Sequence, residues 1–577
     1  MGAFLLYNNN LSILERFSAR KSSVLKLFSD LRLPDQRVFY LGNYCLHLYG
    51  KRNFSTINFY HDRHNNFIAS TGTLIYNGCY GEEGLKLLLR DFLNEKKIED
   101  NCRGNYFVII YSSNKLCFFR DYYGLYPVYT TDDYSIISST FLAIVTLIKD
   151  VTISKEELFE YLFNGYWYGK QTLFKEVKIL AEGCLINPDQ ASSIKKFKPY
   201  FFPVKALPYN TLLSKISENV KKQFRLIHSG FGENICQGLS GGYDSRLILA
   251  GLLSNNVKPY LYVNGTPGSN DIDCASKIAE QLNFNIDIVH FYEGFDNDVR
   301  TVEEKIHSRF LFFDGLGVSG VFDKHTDFEY RIQNPLTQMT NLNGSGGEIY
   351  REAWNIPDKM LTIESFLKAR YDKYNFSSIL VNYSKKEYLC HIQELLENYL
   401  PTSKRLLERR DLELLHPLRY KAIHFILTTQ QFFIPFLLPF YEPSLIKQSL
   451  DIPVKYKLNG IFNKDLIRNI FPVLTSFPTS YGYTFNDNVP ILKKLQESLI
   501  RNTPLTLRPY LRHFKKSKKL PVDLFSKNLL DLEIKKKLVK ISDYKIGNYI
   551  NLRKVTDYNL LSRALTLEML LNYTEIK

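Results

Sequence analysis

The residues best suited to chemistry lie in the stretch ICQGLSGGYDSRLILAGLL, residues 235–253. An apolar segment runs into Ser240, Gly241, Gly242, Tyr243, Asp244 and Ser245, and a helical pattern follows at once. A structural turn needs one glycine; two of them, flanked by hydroxyls and a carboxylate, suit a polyanion. Paired glycines let the backbone approach an anion closely, and successive N–H groups form a concave nest. A helix starting near Ser245 adds its N-terminal partial positive charge. Asp244 is repelled by phosphate unless a cation lies between them, and Mg2+ prefers carboxylate and phosphate oxygens. The chain has no G-x-x-x-x-G-K-[ST], which excludes a lysine-bearing Walker loop. A turn capped by an aspartate could use the same residue types, but S-G-G-x-D-S between strand and helix favours nucleotide binding.

Those residues need a scaffold, and the pattern supplies two kinds. The first ~190 residues hold short aromatic and β-branched runs at 106–112, 115–121 and 126–131, with a helical pattern at 84–94. This reads as an α+β domain with antiparallel pairing over 1–190. The proline-bearing stretch 187–208 lacks periodicity and reads as the boundary. From 209 the pattern becomes helix (210–227), strand at Ile235, glycine turn, helix from Ser245, strand 260–263, helix and strand 286–291. Ile272, Ala275, Ile278, Ala279 and Leu282 share one face of the last helix. Such alternation predicts a parallel sheet with right-handed crossovers over 209–500, helical after ~355. Residues 501–577 read as a basic helical extension.

At 577 residues, with 45% hydrophobic and 23% charged content, the composition is that of an ordinary multidomain globular chain. The net charge of +15 shows locally in RHFKKSKK (512–519) and EIKKKLVK (533–540), which read first as solvated faces. Eight cysteines with no C-x-x-C pair argue against a zinc ribbon or disulfide framework and fit a reducing cytoplasm. The apolar run FFIPFLLPF (432–440) is too short for a membrane span and holds Pro435 and Pro439. No basic-then-apolar leader opens the sequence, so a secretory signal is not expected.

The glycine turn resembles the pyrophosphate loop of the ATP pyrophosphatase fold, specifically that of the asparagine synthetase family. VNGTPGSNDIDCASKIAEQL (263–282) resembles that synthetase domain's second strand and following helix, with adenine expected against backbone near Val263. NGSGGEI (343–349) resembles the S-G-E-G-S-D-E loop, and LPFYEPSLI (438–446) the P-F-L-D stretch. Upstream, FFRDYYGLYPVYTT (118–131) resembles R-D-x-x-G-x-x-P-L-Y-Y of the glutaminase-like, Ntn-hydrolase-like domain, and TLFKEVKILAEGCLI (172–186) its closing strands. The resemblance implies ATP and Mg2+, with Leu239, Ser240, Gly241, Gly242, Asp244, Ser245, Val263, Gly265, Asn343 and Gly344 around the nucleotide. It makes Asp244 and Glu348 the catalytic and metal-binding acids.

Departures from the family pattern shape the expected activity. Glutamine-dependent members carry a cysteine after the initiator methionine, where this chain has Gly2, which offers no nucleophile. The glutamine-holding N-G-E-I-Y-N is replaced by TGTLIYN (71–77). Both losses imply a degenerate glutaminase-like domain, as in the β-lactam synthetase and lasso-peptide cyclase branches. Ser345 stands where the family has a catalytic glutamate, and Ile349 replaces the loop's last acid. The stretch 477–487 lacks the family's lysine; Lys464 is near in sequence, and Tyr481 and Tyr483 offer hydroxyls. The expected reaction is ATP-dependent amide formation: a carboxylate is adenylated with release of pyrophosphate and passed to ammonia or a substrate amine. Alternatives are asparagine synthesis from aspartate, a tRNA-modifying enzyme with the same loop, and a non-catalytic nucleotide-binding scaffold. Expected partners are small-molecule, peptide or saccharide acids and amines; the fused glutaminase-like domain argues against nucleic acid, and a homodimer is left open.

Overall fold

The computed structural model describes residues 2–188, 192–196, 207–290, 302–322, 336–400, 406–415, 427–508 and 544–574, less positions 35, 149, 353, 375, 428 and 556. The basic runs 512–519 and 533–540 and much of the expected boundary lie outside them.

Two antiparallel sheets form the first part. One runs in the order Lys178–Ile179, Tyr129–Thr130, Ile136–Ser138, Ala3–Asn8, Tyr44–Tyr49, Arg37–Leu41. The other runs Ser192–Lys196, Cys184–Asn187, Lys115–Arg120, Cys102–Ser112, Phe67–Tyr76, Phe59–His61, with Cys79–Tyr80 beside Phe67–Tyr76. Strand side chains alternate between faces, and here both faces are apolar. Phe4, Leu6, Leu46 and Leu48 meet Phe67, Ala69, Phe107 and Phe118 between the sheets, with Phe4 stacked on Phe107 at 4.7 Å. On the outer faces, Leu5 and Tyr7 share a core with Leu27 and Phe28 of helix Leu11–Asp30. Ile68, Val108 and Ile110 cover Leu85, Leu88 and Leu89 of helix Gly81–Leu93. The result is helix, sheet, sheet, helix.

The second part is built on a five-stranded parallel sheet in the order Ile286–His290, Tyr260–Gly265, Ile235–Gly238, Thr340–Leu342, Phe436–Leu437. Helices Tyr209–Phe231, Tyr243–Leu253 and Asn270–Gln281 stand where the periodicity predicts them. Ile272, Ala275, Ile278 and Ala279 are buried on the last of these, while Leu282 falls at its C-cap. From Ile235–Gly238 the chain adds two strands on one side, then crosses to add two on the other. The carboxyl ends of Ile235–Gly238 and Thr340–Leu342 therefore flank the point where strand order reverses, the usual ligand crevice of open parallel sheets.

The last helix, Tyr558–Tyr573, lies within the stretch read as a basic extension and buries Leu560, Ala564, Leu567 and Leu570. It shares a core with Phe141, Leu142 and Phe163, so this part is packed interior. No described helix is long and apolar enough to cross a membrane.

Candidate functional site

Strand Ile235–Gly238 runs through buried Leu239 into the glycine turn, and Gly242 caps helix Tyr243–Leu253. The turn is held by its own hydroxyls. Ser245 Oγ accepts from Ser240 N at 3.1 Å, the Ser240 and Ser245 hydroxyls lie 2.9 Å apart, and Ser240 Oγ accepts from Gly242 N at 3.2 Å. Gly241 N donates to Asp271 Oδ1 at 2.9 Å. The amide expected to face an anion is thus engaged by a carboxylate of the chain itself. A side chain at 241 would put its Cβ 2.5 Å from Ser480 N, so that glycine is demanded by close backbone packing as well.

Asp244 is where the two glycine-rich loops meet. A Cβ at Gly344 would come within 3.0 Å of Asp244 Cβ, and one at Gly347 within 2.7 Å of Asp244 Oδ1. Loop 343–348 can lie against Asp244 only because both are glycines. The loop is fixed by Asn343 N donating to Leu437 O at 3.0 Å, Ser345 N to Asn343 Oδ1 at 2.9 Å, and Gly346 N to Glu348 Oε2 at 3.0 Å. Arg351 Nη2 donates to Asp244 Oδ2 at 2.7 Å and lies over the Tyr243 ring. Asp244 Oδ1 is buried without a hydrogen-bond partner. Burial pushes the Asp244 carboxyl up to about 7; Arg351 opposes this and the Glu348 charge adds to it. Ile349 and Tyr350 are buried behind the loop.

Glu348 and Arg351 also line a cleft with Trp354, Glu413 and Lys457, enclosing about 280 Å³ with open solvent at its mouth included. Lys457, in the short helix Val454–Lys457, is 1% exposed and its ammonium pairs with Glu413. The stretch 477–487 holds no lysine, and the cations beside Glu348, Arg351 and Lys457, are each paired with an acid, Asp244 and Glu413. Lys464 instead reaches the Asp487 carbonyl at 3.4 Å. Tyr481 and Tyr483 gather on Tyr243, whose hydroxyl is 3.4 Å from that of Tyr483 and whose ring centroid is 5.2 Å from that of Tyr481. Arg246, wholly buried on helix Tyr243–Leu253, donates to the carbonyls of Leu474, Phe477 and Pro478 at 3.2, 3.1 and 2.7 Å and so ties this segment down beside the turn. Val263 is buried in the core, with its backbone paired to Ile288, and a Cβ at Gly265 would lie 2.6 Å from Ser269 Oγ.

No family model matches the chain, and no curated protein does. Solved structures do. Glutamine phosphoribosylpyrophosphate amidotransferase from B. subtilis, complexed with ADP and GMP, matches at 10% identity and TM-score 0.20, covering 50% of this chain and 65% of that one. An allosteric regulatory enzyme of purine biosynthesis matches at 10% identity and TM-score 0.22, covering 59% of this chain and 94% of that one. The chain thus spans just under two thirds of the first of these.

At the position expected for a glutaminase nucleophile, a Cβ on Gly2 would lie 2.6 Å from Gly50 O and 3.4 Å from Gln431 O. Gln431, contributed from the second part of the chain, fills the adjoining space. Its Oε1 accepts from Lys51 Nζ at 2.7 Å and Thr73 Oγ1 at 2.9 Å, and its Nε2 donates to Phe436 O at 3.0 Å. Burial holds the Lys51 ammonium well below the usual lysine range. Backbone and a buried amide thus pack directly against Gly2.

Proposed function

We propose that the chain is an ATP-dependent amide-forming ligase of asparagine synthetase type whose glutaminase-like domain no longer hydrolyses glutamine. The observation that carries this reading is the meeting of loops 240–245 and 343–348 on Asp244 at the strand-order reversal. A substrate carboxylate oxygen attacks the α-phosphorus of ATP, the bond to the β-phosphate oxygen breaks, and pyrophosphate leaves. The amine nitrogen then attacks the acyl carbon, AMP departs and a base takes the amine proton. The N-terminus of helix Tyr243–Leu253, with the Gly241 amide once Asp271 gives way, receives the departing pyrophosphate, and Arg351 beside Asp244 opposes charge developing at the crevice. The orphaned Asp244 Oδ1 with the Glu348 charge beside it fits a hard, oxygen-seeking cation. Mg2+ held by Asp244 and Glu348 would screen the phosphates from these acids. With Gly2 and Gln431 closing the other site, nitrogen comes as free ammonia or as a substrate amine.

Two sequence features favour a second reading, a nucleotide-binding scaffold without turnover: Ser345 stands where the family has a catalytic glutamate, and 477–487 holds no lysine. Phosphorus NMR of the products formed from Mg·ATP with candidate acids and amines separates the two. AMP and pyrophosphate support ligation, and unchanged ATP despite measurable binding supports the scaffold.

A further inference from the structure

Helix Ile491–Asn502 (ILKKLQESLIRN) is mounted with its sides reversed. At 100° per residue, Ile491, Leu492, Leu495 and Leu499 fall within one arc of about 100°, the width of stripe that ordinarily faces a core. Here that stripe faces outward, at 75%, 81%, 55% and 72% exposure. The opposite row, Lys493, Glu497 and Arg501, is the partly covered one. Lys493 lies over the rings of Tyr481 and Tyr483, 4.3 and 4.9 Å from their centroids, fastening the helix to the segment beside the glycine turn. No residue of this helix is buried.

Four large aliphatic side chains held in water need an occupant, and the charge around them says which. The helix carries Lys494 beside the stripe, and residues 508–519 hold Arg508, Arg512, Lys515, Lys516, Lys518 and Lys519 with no acid among them. An outward apolar stripe followed by a polybasic run is the pattern of a helix lying in the plane of an anionic lipid surface, apolar side chains in the acyl boundary and cations among the headgroups.

We propose that helix Ile491–Asn502 docks the chain on an anionic lipid surface. Co-sedimentation of the full chain with vesicles of phosphatidylcholine plus about one-third phosphatidylglycerol, against pure phosphatidylcholine, tests it. The partition coefficient is expected to be about tenfold or more higher on anionic vesicles, and to fall when NaCl is raised from ~0.1 to ~1 M. The triple variant Leu492→Ser, Leu495→Ser, Leu499→Ser touches only exposed side chains, so it keeps its Tm and loses the anionic partitioning. Equal binding to both vesicle types, or to neither, overturns the proposal. So does a concentration-dependent dimer that the triple variant abolishes, which assigns the stripe to a second copy. Slow hydrogen exchange across 491–502 in the lipid-free chain, lost on deleting 509–543, overturns it too, because the chain's own segment would then be the cover.

Discussion

Asp244 combines three burdens that a structural cap does not need: a buried oxygen without a partner, a carboxyl raised to about 7, and a second acid, Glu348, close enough to disfavour its charge. On the proposed reading this group would take Mg2+ on its orphaned oxygen, beside the Arg351 guanidinium that already pairs with the other. Asp244→Asn keeps the shape and removes the charge, so Mg-dependent turnover should fall roughly a hundredfold or more while near-UV circular dichroism is retained. Wild-type turnover in that variant would take the metal role away from it. At the other site the geometry argues against simple repair. Gly2→Cys should yield no glutamate from glutamine, because the new Cβ would meet Gly50 O at 2.6 Å; glutamate release by either form, followed by coupled assay, contradicts the closed pocket.

Elements place these residues, and their legibility in sequence differs for physical reasons. The strand–turn–helix at 235–253 is local, so an apolar run, two glycines and helical periodicity suffice to locate it. Arg351 reaches Asp244 across 107 residues, and Asp271 reaches Gly241 across 30, so neither leaves a local pattern. Strands Thr340–Leu342 and Phe436–Leu437 have three and two residues, too few for periodicity to register. Gly347→Ala tests the joining of the two loops. Its Cβ would press on Asp244 Oδ1, and nucleotide affinity should drop at least about tenfold with little change in Tm, read by calorimetry. A different element shows how buried acids set pH dependence. Asp314 accepts from Leu142 N at 2.9 Å and from Phe141 N, supplying the start of helix Phe141–Leu147 from across the chain. Burial raises its carboxyl to about 7. The unfolded chain ionises near 4, so the folded state holds the extra proton between those values and loses stability as pH rises from about 4 to about 7. Asp121, near 6, and Glu442, near 7, act in the same direction. Melting curves should show Tm lower at pH 8 than at pH 5, with the difference reduced in Asp314→Asn; a Tm that climbs over this range contradicts the assignment.

Across the whole molecule, the sandwich and the parallel sheet are joined through Lys51, Thr73, Gln431 and Phe436. Gln431→Ala leaves the Lys51 ammonium without its side-chain acceptor and should cost on the order of 2 kcal/mol in urea denaturation. A variant as stable as wild type would show that this contact does not hold the two parts together. The order of the two sheet systems was legible from the pattern along the chain, short aromatic and β-branched runs first and strand–helix alternation after 209; their joining was not, since Gln431 stands 358 residues from Thr73. ATP–pyrophosphate exchange by the full chain, with Mg2+ and a panel of carboxylates, tests the central claim most directly. Label should enter ATP only when both Mg2+ and an acceptable acid are present. Exchange in the absence of any acid, or none with any acid while ATP binds, would contradict a ligase working through an acyl-adenylate.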